Sequence, residues 1–311
     1  MKNTLYTGTY TGSGSEGIYR FAFEDGILGE PELFCRIKNA KYITLDEGMI
    51  TAVCDFPYGS GTALINENGR IVSTVNYEEC TSAFIARKGD RIYTANYHTG
   101  TFTVLEEKNG QLQLIRTVYI QNGGGCHQVL FWKDRILVPS LFLNRVMIYD
   151  ESLNRIGSIH FNEGTGPRHG VFTKDGEYLY LVSELSNELF VIHAGDWQII
   201  SSISVLPDGE KNQRGTAAIR MSEDERHVYV STRGKDLISV IEMNDHVPVL
   251  VQTAECGGRG PRDFILNGNY LVCANRFSND ITSFELNEDG TIGRKISKIK
   301  VKEPVSLVIS E

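Results

Sequence analysis

In GTGPRHGVF, residues 164–172, Arg168 and His169 follow a Gly-Pro pair and precede an apolar strand that needs neither of them for stability. Two other stretches repeat the arrangement. GGGCHQV supplies His127, and GRGPRDF supplies Arg262. Side by side, His127 matches His169 and Arg168 matches Arg262. A second series follows five apolar segments that end in small polar residues, Asn96, Ser140, Ser183, Thr232 and Asn275. The next positions hold Tyr97, Leu141, Glu184, Arg233 and Arg276, so three successive members are charged.

Fixed guanidinium charges, imidazoles and one carboxylate are the parts needed to open or close an ester-like bond. Either His127 or Glu184 can act as a general base. Arg168 and Arg233 suit a carbonyl oxygen on which charge develops. His169, Arg262 and Arg276 suit a phosphate or carboxylate held by charge-assisted contacts. The plainer reading makes Glu184 a salt-bridge partner that holds the arginines apart, and His98, in NYHTG, a turn residue. No His/Asp/Glu cluster has ligand spacing, so neither a metal nor a cofactor is expected.

These side chains converge only if the elements carrying them recur in space. The segments IYRFA, TALIN, FTVLE, VMIYD, LFVIH, ISVIE and ITSFE start at residues 18, 62, 102, 146, 189, 238 and 281, at intervals of 40 to 49 residues. Most follow a second apolar segment and a short polar link. Asp-Gly and Asn-Gly pairs starting at Asp25, Asn68, Asn109, Asp175, Asn267 and Asp289 mark tight turns. No helical period competes. Seven copies of a four-stranded unit at this period predict an all-β, seven-bladed β-propeller of antiparallel blades in one domain, residues 1–311. EPVSLVIS at the C-terminus reads as an innermost strand and NTLYTGTY at the N-terminus as a second strand, so their pairing closes the ring. In that topology both series fall on one face, around the channel mouth. The 49-residue interval carries its surplus in LPDGEKNQRGT, a connection on the same face that includes Arg214.

Bulk composition narrows the partners. The net charge of −8 argues against nucleic acid or an acidic membrane. Any anionic ligand must therefore meet cations gathered locally. No apolar run approaches the roughly 20 residues of a membrane span. The N-terminus has no signal-peptide core, which predicts a cytoplasmic protein. The six cysteines form no C-x-x-C pair and read as reduced, mostly buried thiols, with Cys126 the one candidate for catalysis.

GGGCHQV, GTGPRHGVFTKDGEYLYLVSELSN, AAIRMSEDERHVYVSTRG and GPRDFILNGNYLVCANRFSNDI, together with NYHTGTFTV, resemble the signature segments of the propeller-type 6-phosphogluconolactonase family, in order along the whole chain. The resemblance implies hydrolysis of a phosphorylated sugar lactone, 6-phosphogluconolactone, in the pentose phosphate pathway. The chain is also similar to fungal carboxymuconate-lactonising enzymes, whose site uses a His, a Glu and two Arg. By motif these roles fall on His127, Glu184, Arg168 and Arg233. Two departures stand out. Arg276 occupies a place where relatives often have glutamine, and Cys126 and Gln128 flank a single histidine where members often carry two. The alternatives are an enzyme acting on a carboxylated, non-phosphorylated acid, and a non-catalytic propeller that binds a partner across its face.

Overall fold

Tight turns between apolar segments of four to nine residues make strands wherever the chain can pair with itself. Asp25-Gly26 and Asn109-Gly110 take positive φ at both residues (50° and 79°, 52° and 72°). That backbone joins two right-twisted strands across a two-residue turn. The computed structural model describes residues 3–207 and 214–310, and these form seven antiparallel sheets. Their only helical element is a 3₁₀ turn, Leu141–Leu143.

Blade 1 is composite. Its innermost strand is the C-terminal Pro304–Ser310, followed outward by Asn3–Thr9, Gly17–Glu24 and an outer edge made of Ile27–Leu28 and Glu32–Arg36. Thr4 pairs with Ser310 and Gly8 with Ser306, so the two ends of the chain close the ring, as the sequence predicts. The innermost strands of blades 2 to 7 are Ile43–Asp46, Phe84–Lys88, Leu130–Trp132, Pro167–Phe172, Thr216–Met221 and Pro261–Asn267.

Middle strands are apolar on both faces because each blade is covered on both sides. The buried apolar side chains fall into seven clusters, one for each pair of neighbouring blades. Leu5 and Phe21 of blade 1 meet Val272 and Ile281 of blade 7 across the closure. Each fully buried side chain of this kind is worth about 1.5–3 kcal/mol. Outer strands alternate instead, as Gln198–Ser204 does, because only one of their faces is covered.

Candidate active site

Inner strands enter from the channel mouth through one extra residue. Pro167 pairs with Ser183 and His169 with Val182, which leaves Arg168 unpaired between them. Arg262 lies in the same way between Pro261 and Asp263. Cys126 bridges Ser140 while Leu130 pairs with Leu137, so His127 is the extra residue of blade 4. A bulge of this kind re-aims its side chain. The structural equivalents are therefore His127, Arg168 and Arg262, with Gln128, His169 and Asp263 one place further on. This corrects the match of His127 to His169 read from the sequence. Matching histidine to histidine slides one strand by a residue and ignores the bulge.

A glycine with positive φ leads into each of these bulges: Gly125 at 73°, Gly166 at 66° and Gly260 at 72°. A Cβ at Gly166 would also come within 2.5 Å of the Leu185 side chain. In blade 2 Asn39 (φ 52°) takes the equivalent place. Lys41 then lies five residues before the hairpin pair Asp46–Met49, as Arg262 does before Asn267–Tyr270.

The second series is pinned to the first by one recurring backbone bond. The N–H groups of Leu141, Glu184, Arg233 and Arg276 donate to the carbonyls of Gly125, Gly166, Gly215 and Gly260 at 3.1, 2.8, 2.9 and 3.0 Å. Tyr10 N–H donates to the Glu303 carbonyl of blade 1 at 3.2 Å, which makes Tyr10 a member of this series.

Where the two series meet, a cleft of about 220 Å³ opens, lined by Tyr10, Lys41, Ala83, Tyr97, His98, His127, Glu184, Arg233 and Arg262. Glu184 is bracketed: Arg168 Nε donates to Oε2 at 2.7 Å, and Arg233 Nη2 lies 2.9 Å from Oε1. Arg168 also donates to the Ala217 carbonyl, and Arg233 Nε to the Gly215 carbonyl at 3.0 Å. His127 Nδ1 and His169 Nε2 are 3.1 Å apart. His169 lies edge-on to Phe84, with ring centroids 5.7 Å apart. Arg276 Cζ sits 3.8 Å from the Tyr10 ring centroid, and its guanidinium bonds Glu303 Oε1 at 3.2 and 3.0 Å.

The seven residues singled out from the sequence thus form one connected cluster, but they do not all face the cleft. His127, Glu184, Arg233 and Arg262 line it. Arg168 is buried behind Glu184 and His169 behind His127, and the half-buried Arg276 stacks on Tyr10. Tyr10 and Lys41 escaped the sequence reading, because their blades carry no Gly-Pro-Arg entrance. The count back from the hairpin was the available signal for Lys41. Residues 208–213 of the long connection, expected on the same face, lie outside the described residues; Arg214 is exposed.

Electrostatics separate the groups. Burial, and then Arg168, hold His127 and His169 well below the ordinary histidine value, so both are neutral. Burial pushes the Glu184 carboxyl up, but Arg168 and Arg233 outweigh it and the net shift is downward. Glu184 is therefore ionised. Burial lowers Lys41 and, against the pull of Glu184, Arg168. Tyr10 is lowered: burial raises it, but Arg262, Lys41 and Arg276 together prevail. Burial pushes the Cys126 thiol up to about 12, with its sulfur 3.7 Å from Ser140 Oγ, which removes it as a nucleophile. A larger groove, about 520 Å³, runs along the outer strands of blades 4 and 5 beside Ile156 and Trp197. None of the converging charges reaches it.

Fold and site together define a β-propeller with a cationic, imidazole-bearing cleft at its channel mouth. The chain belongs to the seven-bladed β-propeller lactonases: the family model "Lactonase, 7-bladed beta-propeller" matches residues 4–309. The 6-phosphogluconolactonase of Bacillus subtilis is 29% identical over 335 residues, covering 96% of each chain. Among solved structures, a protein from Lactobacillus plantarum superposes with a TM-score of 0.94 at 26% identity, covering 100% of both chains. A putative 6-phosphogluconolactonase from Bacteroides uniformis gives 0.89 at 25%, covering 99% of both.

Proposed function

We propose that the protein hydrolyses a phosphorylated sugar δ-lactone, 6-phosphogluconolactone, to 6-phosphogluconate. One observation carries the reading. Lys41, Arg233 and Arg262 line one cleft with a neutral imidazole, Arg168 lies behind it, and Glu184 is the one carboxylate among the described residues that lines it, in a chain whose net charge is −8. The surplus positive charge calls for an anionic substrate, and the imidazole for proton transfer. The name of the B. subtilis relative supports the same substrate.

The carbonyl end of the lactone belongs beside His127. Both imidazoles are neutral, so one proton lies between His127 Nδ1 and His169 Nε2, 3.1 Å apart. In the tautomer that serves the reaction, His169 accepts through a bare Nε2. His127 then donates through Nδ1, and its own Nε2 keeps a lone pair for a water molecule. As that water attacks the carbonyl carbon, His127 takes its proton. The oxyanion that forms faces Arg233, whose Nε and Nη2 are already fixed and whose Nη1 has no partner among the described residues. Collapse breaks the bond to the ring oxygen, and the imidazolium returns the proton to that oxygen. Glu184 has both oxygens engaged and holds its proton weakly, so it aims the arginines and is not the base.

The test is purified protein with freshly made 6-phosphogluconolactone, followed by a coupled dehydrogenase. Two charge-assisted contacts at about 1.5–3 kcal/mol each correspond to roughly 10²–10⁴-fold in efficiency over glucono-δ-lactone. Equal efficiency on both lactones would overturn the phosphate. No rate above the spontaneous one on either would overturn hydrolysis. Preference for a carboxylated lactone would recast the arginines as carboxylate clamps.

A further inference from the structure

We infer that the distal phosphate is gripped by Lys41 and Arg262 across the ring of Tyr10, and not by His169 or Arg276. The inference rests on the phosphorylated-lactone reading above and names the part of the cleft that enforces it.

Four arginines around the cleft are already neutralised. Arg168 and Arg233 share Glu184, and Arg276 is paired with Glu303. Arg220, beneath the cleft, is paired with Asp263 at 2.6 Å. Among the described residues no carboxylate lies within ion-pair distance of Lys41 or Arg262. Both line the cleft all the same, and both are partly buried. Asp55 attracts Lys41 only from beyond that distance, and its oxygens already accept from Asn39, Ser60 and Thr81. A desolvated cation with no carboxylate in contact is costly unless a ligand supplies the charge.

Arg262 is the bulge residue of blade 7, and Lys41 holds the equivalent place in blade 2. The bulge residue between them, on blade 1, is Val305, which offers no polar group. Tyr10 of blade 1 fills this gap, with Lys41 Nζ 5.5 Å and Arg262 Cζ 5.8 Å from its ring centroid. Arg276, stacked 3.8 Å from the same centroid, holds the ring in place from behind. The aromatic ring thus keeps two unpaired cations at a fixed separation, with a phenol O–H beside them.

Substrate chemistry then sets the direction. His127 and Glu184 stand on blades 4 and 5, across the channel from blades 7, 1 and 2. A hexonic δ-lactone phosphorylated at its terminal carbon carries carbonyl and phosphate at opposite ends. With the carbonyl at His127, the phosphate arrives between Lys41 and Arg262. Burial and the neighbouring Arg262 depress Lys41, and an incoming dianion relieves both strains.

The experiment compares Lys41→Met and Arg262→Met with the native enzyme on 6-phosphogluconolactone and glucono-δ-lactone. It also measures calorimetric binding of 6-phosphogluconate and gluconate. Loss of one charge-assisted contact should shrink the preference for the phosphorylated lactone roughly 10- to 100-fold, mainly through KM. The preference for 6-phosphogluconate over gluconate should shrink in parallel, and Lys41→Arg should restore most of both. A misfolded variant lowers both substrates together and is recognised by its circular dichroism, so the ratios are compared among folded variants. If the native enzyme prefers the phosphorylated compounds and the variants keep that ratio, the subsite is wrong and the lactonase reading stands. If the native enzyme shows no preference in either measurement, both fall.

Discussion

Glu184 sits between two guanidiniums, and its low proton affinity leaves an imidazole as the proton acceptor; we assign His127, which lines the cleft and is tied to His169. His127→Gln should lower kcat about 10²–10⁴-fold with little change in KM. The acid limb of the kcat/KM profile should lie well below pH 6.5, because burial and Arg168 favour neutral His127. A limb at or above 6.5 would contradict the assignment. Glu184→Gln acts differently. It leaves Arg168, with 1% of its side chain exposed, without a carboxylate. Removal of one partner from a buried pair costs about 3–5 kcal/mol, and the upper part of that range is blunted here by the amide oxygen that remains. Urea denaturation should therefore register the loss, while the acid limb, which belongs to His127, persists in the variant.

Each bulged inner strand presents one residue to the mouth and uses the next to tie neighbouring blades. Gln128 donates to the Gly170 carbonyl at 3.2 Å and accepts from its N–H at 2.7 Å, whereas His169 turns back to His127. Both histidines are neutral when folded and ordinary when unfolded. Their folded values are depressed, so the stability they confer is complete above about pH 6.5 and is lost as pH falls below it. The slope reaches about 1.4 kcal/mol per pH unit for each histidine. His169→Gln, with the residue found at the equivalent place in blade 4, should flatten the fall in urea midpoint between pH 7 and pH 5. An unchanged fall would count against a buried neutral His169. Gly166→Ala tests the entrance itself. Positive φ and the 2.5 Å approach to Leu185 should cost about 1–3 kcal/mol. Activity should fall with it, because the Gly166 carbonyl holds the Glu184 N–H.

Closure of the ring depends on polar as well as apolar contacts. Asp263 of blade 7 accepts from Arg220 of blade 6 at 2.6 Å and from the Leu307 N–H of blade 1 at 3.2 Å, which ties three blades around the seam. Asp263→Ala leaves Arg220 unpaired and one inner-strand N–H unsatisfied. We expect a loss of about 3–5 kcal/mol in urea unfolding, against about 0–1 kcal/mol for Glu32→Ala. Glu32 pairs with Arg20 in a bridge where both side chains are more than 40% exposed. Comparable losses in the two variants would mean that the seam is not held at Asp263.

The propeller was legible because its signals are local. Apolar segments at intervals of 40 to 49 residues, Asp-Gly and Asn-Gly turns, and matching strands at the two ends leave little else for the chain to do. The types of several site residues were legible for the same reason: Gly-Pro-Arg entrances occur in two repeats, and Glu184, Arg233 and Arg276 hold one place in three successive repeats. Three things were not. The bulge at His127 is set by hydrogen bonds to Pro139 and Ser140 across the strand pair, and a one-residue shift leaves no mark in composition. Lys41 and Tyr10 join the cleft through backbone geometry, with Asn39 in the glycine's place and Tyr10 tied to Glu303 from the far end of the chain. Which cations are free depends on the ion pairs Arg168–Glu184–Arg233 and Arg276–Glu303, made between blades or between distant parts of the chain. Strand formation answers to short-range pattern, whereas charge neutralisation answers to distances that exist only once the ring has closed.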